Sequence, residues 1–114
     1  MQTRELSYPK DMLNAAKLVQ SFTMGISLES FQDNLMCQSA VTRQLEIIGE
    51  APRRISVKSK EAITDIPWRQ VIGMRHRIGH EYDRLNIDRI WQTVQFSLPP
   101  LIIALESIIE SGND

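Results

Sequence analysis

Residues 75–82 read RHRIGHEY and hold both histidines of the chain, His76 and His80, beside Arg75, Arg77 and Tyr82. Two chemistries are open to such a set. The first is metal binding, since His76 and His80 have the i, i+4 spacing that chelates a cation on one helix. Arg75 and Arg77 repel a cation, the H-E-x-x-H pattern is missing and no third ligand stands nearby, so no metal is expected. The second is phosphate chemistry without a metal. Arginine binds a phosphodiester through charge-assisted, often bidentate hydrogen bonds and stabilises charge developing on its oxygens. A histidine with an ordinary pKa of about 6.5 takes a proton from a ribose hydroxyl or gives one to a leaving oxygen. A plainer alternative is a helix end whose basic side chains favour the C-terminal dipole.

Helix geometry constrains that site. At about 100° per residue, Arg75 and His80 lie about 140° apart on an ideal helix, whereas His76 and His80 stack and Arg75 shares a side with Tyr82. Arg75, His80 and Tyr82 therefore do not converge on one regular helix. Gly79 offers a local distortion or a close backbone approach. A second protomer across a two-fold axis offers the other half of a site.

The elements that must position these residues all read as helices. Tyr8, Met12, Ala15, Val19 and Phe22 trace one apolar face, with Ser7 and Pro9 at its start. Gly25 breaks the pattern, and Ser27 or Ser30 suits a cap. A second helix is expected from about Asn34 to Arg54, with Cys37, Val41, Leu45 and Ile48 inward and Ile55 continuing the stripe. Gly49 suits a close helix contact there, and Pro52 kinks or ends the helix. A polar stretch with a short helix near Ala62 follows. The third helix is expected from about Pro67 to Tyr82, capped by Asp65, with Val71, Met74 and Ile78 inward. YDRLNID reads as a connector, with Asp88 capping a last helix that carries Ile90, Trp91 and Val94 and is interrupted at Pro99-Pro100. The expected fold is all-α, one domain over residues 1–114, an antiparallel bundle of four main helices with the last kinked or split at Pro99-Pro100. Apolar residues at the bundle ends and beside Trp68 and Trp91 suit either core or dimer contact.

Bulk properties narrow the class. The chain has 114 residues, 42% hydrophobic and 24% charged, which suits one globular domain and argues against disorder. Its single cysteine, Cys37, excludes an internal disulfide and a cysteine-rich zinc module. No signal-type segment opens the sequence and LIIAL at 101–105 is too short to span a bilayer, so a cytoplasmic protein with no membrane contact is expected. Net charge is −1, but the segment from Arg53 to Arg89 carries +4 and the remainder −5. A basic middle attracts a polyanion locally while the whole chain stays near neutral.

RHRIGHEY matches R-x-x-x-x-H-x-Y, the signature of the HepT-like branch of the HEPN superfamily. VTRQLEIIGEAPRRIS resembles that family's second-helix segment, DIPWRQVIGMRHRIGHEYDRLNIDRIWQTV its third helix and exit, and LPPLIIALE its closing helix. The resemblance covers nearly the whole chain. It implies a helical bundle that dimerises through the signature helices. It also implies a metal-independent endoribonuclease with no cofactor, the toxin of a toxin–antitoxin pair. The implied partners are RNA, a second copy, and a small nucleotidyltransferase as antitoxin. By position, Arg75 and His80 are the implied catalytic pair. The resemblance implies that Tyr82 is the signature tyrosine, to which the family's antitoxin can attach AMP. His76, Arg77 and Gly79 are accessory positions. His76 stands where the family often has Asn or Asp, and Pro52 where it has a plain helix former. Inert HEPN scaffolds share the fold, so the alternative is a non-catalytic module that binds a nucleotide or a partner.

Overall fold

In the computed structural model, residues 5–78 and 84–112 are described, with side chains between 75 and 85 excepted. Seven α-helices occur among them: α1 (Ser7–Thr23), α2 (Leu28–Gln32), α3 (Leu35–Glu50), α4 (Val57–Ala62), α5 (Trp68–Ile78), α6 (Arg84–Gln92) and α7 (Leu98–Gly112). A 3-10 turn, Ala51–Arg54, follows α3, and a π segment, Thr93–Ser97, joins α6 to α7. No strand occurs among the described residues. The long elements α1, α3, α5 and the α6–α7 run form an all-α bundle in which α1 packs on α3 and α7, and α3 packs on α5.

Each long helix is amphipathic, and its inward stripe builds the core. Met12, Ala15, Ala16 and Val19 from α1 meet Val41, Leu45 and Ile48 from α3, and Val71 and Met74 from α5. Ile90, Val94, Leu98, Leu101 and Leu105 close the other side. The α1 stripe departs from expectation at its end. Phe22 is exposed, and the buried position in that turn belongs to Thr23, whose hydroxyl donates to the Val19 carbonyl at 2.9 Å. A buried hydroxyl is tolerated where the helix itself supplies the acceptor.

Local chemistry sets the helix boundaries. Gly25 has φ 76°, the left-handed turn that ends α1. Ser27, Asn34 and Ser56 cap α2, α3 and α4, each side chain accepting an N–H at 3.0–3.1 Å. Pro52 ends the α-helical pattern as expected, α3 giving way to the 3-10 turn that contains it. Ser7 lies inside the first turn of α1, and Leu6 takes the cap position without a side-chain bond.

The end of the chain holds two differences. Arg84–Asp88 is helical, so it is no connector and Asp88 caps nothing; it sits inside α6 and bonds α2 instead. The split expected at Pro99-Pro100 takes the form of the π segment just upstream, where the Leu98 N–H reaches back to the Thr93 carbonyl. Both prolines then fall in the first turn of α7, where missing N–H groups cost least. The carbonyls they cannot serve in an α-helical register belong to Gln95 and Phe96, both exposed.

Helical hydrogen bonding thus runs through the prolines from Asn86 to Gly112. This helix of 27 residues contains an 18-residue stretch of mean hydropathy 1.2 and is long and apolar enough to cross a membrane by length and composition. The five residues of LIIAL understate it. Its inward side is the core wall formed by Ile87 to Leu105. Its outward side exposes Phe96 and Ile103.

Candidate active site

The signature stretch begins on α5, and α5 is held from two directions. At its start the Trp68 indole Nε1–H donates to the carbonyls of Lys60 and Ile63 at 3.0 and 2.9 Å. The Trp68 N–H bonds the Ile66 carbonyl, and the Val71 N–H bonds that of Pro67. Along its length Val71 and Met74 are buried in the core. The helix start is therefore fixed by tryptophan and proline, Asp65 being exposed in the preceding turn. Trp68 and Trp91 are both half-buried and pack on the core.

Arg75, His76, Arg77 and Ile78 form the last turn of α5. Gly79, His80 and Tyr82 lie outside the described residues, and so does the end expected for this helix at Tyr82. The convergence of Arg75 with His80 and Tyr82 is likewise outside them. Among the described residues no group of three His, Cys, Asp or Glu side chains is placed to hold a metal.

The chain re-enters described structure at α6, which is clamped by a polar network absent from the sequence reading. Gln32 Nε2 donates to Asp88 Oδ1 at 2.7 Å. The buried Gln38 amide donates to the carbonyls of Phe31 and Gln32 at 2.8 and 3.0 Å. The Phe31 ring packs on Trp91, centroids 5.2 Å apart. Helix α2 is thus a strap from α3 to α6. The available signal was Gln38 itself, a polar residue near the apolar stripe of α3 that needs a buried partner. Both helices flanking Gly79–Asp83 are therefore anchored on the same core, one by Trp68 and one by Asp88.

Two other features have the chemistry of a site without its fit to RNA. A groove of about 380 Å³ between α1 and α3 is lined by Tyr8, Asp11, Arg43, Glu46, Glu50 and Arg54 among others. Three carboxylates against two guanidinium groups make it a poor seat for a polyanion. Cys37 is half-buried, its Sγ 3.6 Å from the Phe22 carbonyl, and burial pushes its thiol up from 9.0. A raised thiol pKa opposes nucleophilic use.

By contrast, Pro67–Ile78 contains three arginines, a histidine and no acidic residue. Arg69 is exposed. Gly73, in mid-helix, is half-exposed, and a Cβ there would meet nothing within 4 Å. Such a glycine weakens the helix by about 1 kcal/mol relative to alanine.

Comparison with known proteins gives this basic helix its context. Residues 12–108 match the family described as "Ribonuclease HepT-like". A probable ribonuclease HepT of Thermococcus cleftensis is 36% identical over 101 residues, covering 89% of this chain and 92% of that protein. A putative RNase of Methanocaldococcus jannaschii is 35% identical over 91 residues, 80% of this chain and 84% of the relative. A putative RNase of Caldanaerobacter subterraneus subsp. tengcongensis is 31% identical over 103 residues, 90% of this chain and 92% of the relative. No solved structure gives a significant match. With a family match over most of its length and relatives aligned nearly end to end, the chain belongs to the HepT-like ribonuclease family.

Proposed function

We propose that this protein is the toxin of a toxin–antitoxin pair, a metal-independent endoribonuclease whose site is shared by two protomers. The observation that carries the reading is the family match over residues 12–108, which contains R-x-x-x-x-H-x-Y at positions 75–82. The basic, acid-free α5 supports a polyanionic substrate.

In this mechanism two signature helices pair across a dyad and bring Arg75 and His80 of both chains to one cleft. His80 of one protomer takes the proton of a ribose 2′-hydroxyl as that oxygen attacks the adjacent phosphorus. The bond from phosphorus to the 5′-oxygen breaks, and the other His80, protonated, delivers a proton to the leaving oxygen. Arg75 binds the phosphate and the charge that grows on it. The products are a 2′,3′-cyclic phosphate and a 5′-hydroxyl. Because arginine and histidine supply charge and proton, cleavage survives chelation. The test is RNA cleavage by the purified protein with and without EDTA, alongside His80→Ala. Wild-type activity in that variant, or loss in EDTA reversed by one particular metal, would exclude the mechanism.

The antitoxin in this reading is a small nucleotidyltransferase that transfers AMP from ATP to the Tyr82 phenol, releasing pyrophosphate. The adduct adds bulk and negative charge beside Arg75 and competes with the RNA backbone for the same contacts. Intact mass after incubation with the cognate enzyme and ATP should rise by one AMP, and the gain should be absent in Tyr82→Phe.

A further inference from the structure

We infer that the outward face of α5, from Arg69 across Gly73 to the last turn, is the track on which single-stranded RNA lies as it enters the site. The inference takes its ligand from the ribonuclease reading and adds where the strand runs. Three observations carry it. The first is charge: α5 and Pro67 before it hold three arginines and no carboxylate, and Arg69 is exposed without an ion pair among the described residues. The second is the glycine. Val71 and Met74 turn one side of α5 to the core. Gly73 lies on the other side, and nothing in the described chain would obstruct a side chain there. A helix-weakening residue with no reason among the described residues points to a close pass of another backbone. The third is register. His76 is seven residues beyond Arg69 at about the same helical angle and about 10 Å further along the axis. That length accommodates more than one phosphodiester.

A second protomer crossing at Gly73 would fit the glycine but not the charge. A protomer contact there would leave the exposed Arg69 guanidinium without an anionic partner. A polyanion meets the same residues favourably, with the Arg69 fork on one phosphate and the sugar–phosphate chain passing over Gly73.

The experiment measures binding of a single-stranded oligonucleotide of about 12 residues, 2′-O-methylated to prevent cleavage, by fluorescence anisotropy over a salt series. Arg69→Gln should weaken binding about threefold to tenfold and reduce the slope of log affinity against log salt by about 0.7. Gly73→Leu should weaken it at least about tenfold while melting no lower than wild type, since leucine is the better helix former. Lys17→Gln, which removes the same charge from exposed α1, should leave affinity unchanged. Failure of the wild type to bind the oligonucleotide overturns the track, as does wild-type affinity in both α5 variants. Conversion of a dimer to monomers by Gly73→Leu, seen by light scattering, also overturns it and assigns the glycine to a protomer contact. The two readings fail separately. Cleavage that ignores Arg69 and Gly73 sinks the track alone; binding that depends on them without any cleavage sinks the ribonuclease alone.

Discussion

Arg75 and His80 divide the proposed reaction between charge and proton, so their substitutions should fail differently. Arg75→Lys keeps the charge but loses the planar fork that grips two phosphate oxygens. It should retain measurable cleavage, reduced about tenfold to a hundredfold. His80→Ala removes proton transfer and should lower kcat by about 10²–10⁴-fold with little change in RNA affinity. Single-turnover rates and binding of a non-cleavable oligonucleotide separate the two effects, and equal losses from both variants would contradict the division of roles. Tyr82 separates cleavage from silencing. Tyr82→Phe should cleave RNA and keep cleaving after incubation with the nucleotidyltransferase and ATP, whereas the wild type should lose activity under the same treatment. Inactivation of both by the enzyme would mean that silencing does not run through this phenol.

At the scale of elements, the signature stretch depends on anchors lying well outside it. Trp68→Phe keeps a six-membered aromatic ring but loses the pyrrole half of the indole and, with it, the N–H shared by the carbonyls of Lys60 and Ile63. A loss of about 1 kcal/mol is expected, read as a lower melting temperature. Gln38→Met fills similar volume but takes the side-chain donor from the Gln32 carbonyl and leaves that of Phe31 with the longer Asn34 N–H bond at 3.3 Å, and should destabilise by about 1–3 kcal/mol. An unchanged melting curve would show that α2 does not depend on that amide. The contrast between these anchors and the stripes explains what could be read from the sequence. Val41, Leu45 and Ile48, or Val71 and Met74, are periodic, and helical period alone assigns them inward. The caps at Ser27, Asn34 and Ser56 are equally local. Asp88 reads as a cap because an aspartate in a polar run has that signature, while its partner Gln32 is 56 residues away. Proline at 99 and 100 marks an irregularity in any helix, but whether it breaks, bends or forms a π turn depends on the packing of Val94 and Leu98. For the site, residue types and the family signature point to Arg75, His80 and Tyr82, whose side chains lie outside the described residues. Gly73 is not legible in the same way, because a glycine becomes informative only when the space around it is known.

The whole molecule presents surfaces that a single chain does not use. Met24, Leu35 and Met36 are exposed at the end where α1, α2 and α3 meet, and Phe96 and Ile103 lie one heptad apart on the outer side of the last helix. Exposed apolar side chains at helical spacing suit a second copy, yet a dimer matters to the proposed chemistry only if both protomers act on one phosphate. That requirement can be measured by mixing. Suppose wild type and His80→Ala are combined in equal amounts, unfolded and refolded together so that protomers pair at random. If each chain cleaves by itself, activity falls to about a half of the all-wild-type sample. If each cleft needs one His80 as base and the other as acid, only dimers with two wild-type chains work, and activity falls to about a quarter. The expected result is the quarter, following the square of the wild-type fraction as the ratio is varied. A straight line through the same series would mean that one protomer carries both proton transfers. In that case a single His80 suffices, and Arg75 reaches it either from the partner or within one chain, where the 140° between them on a regular helix must be closed at Gly79.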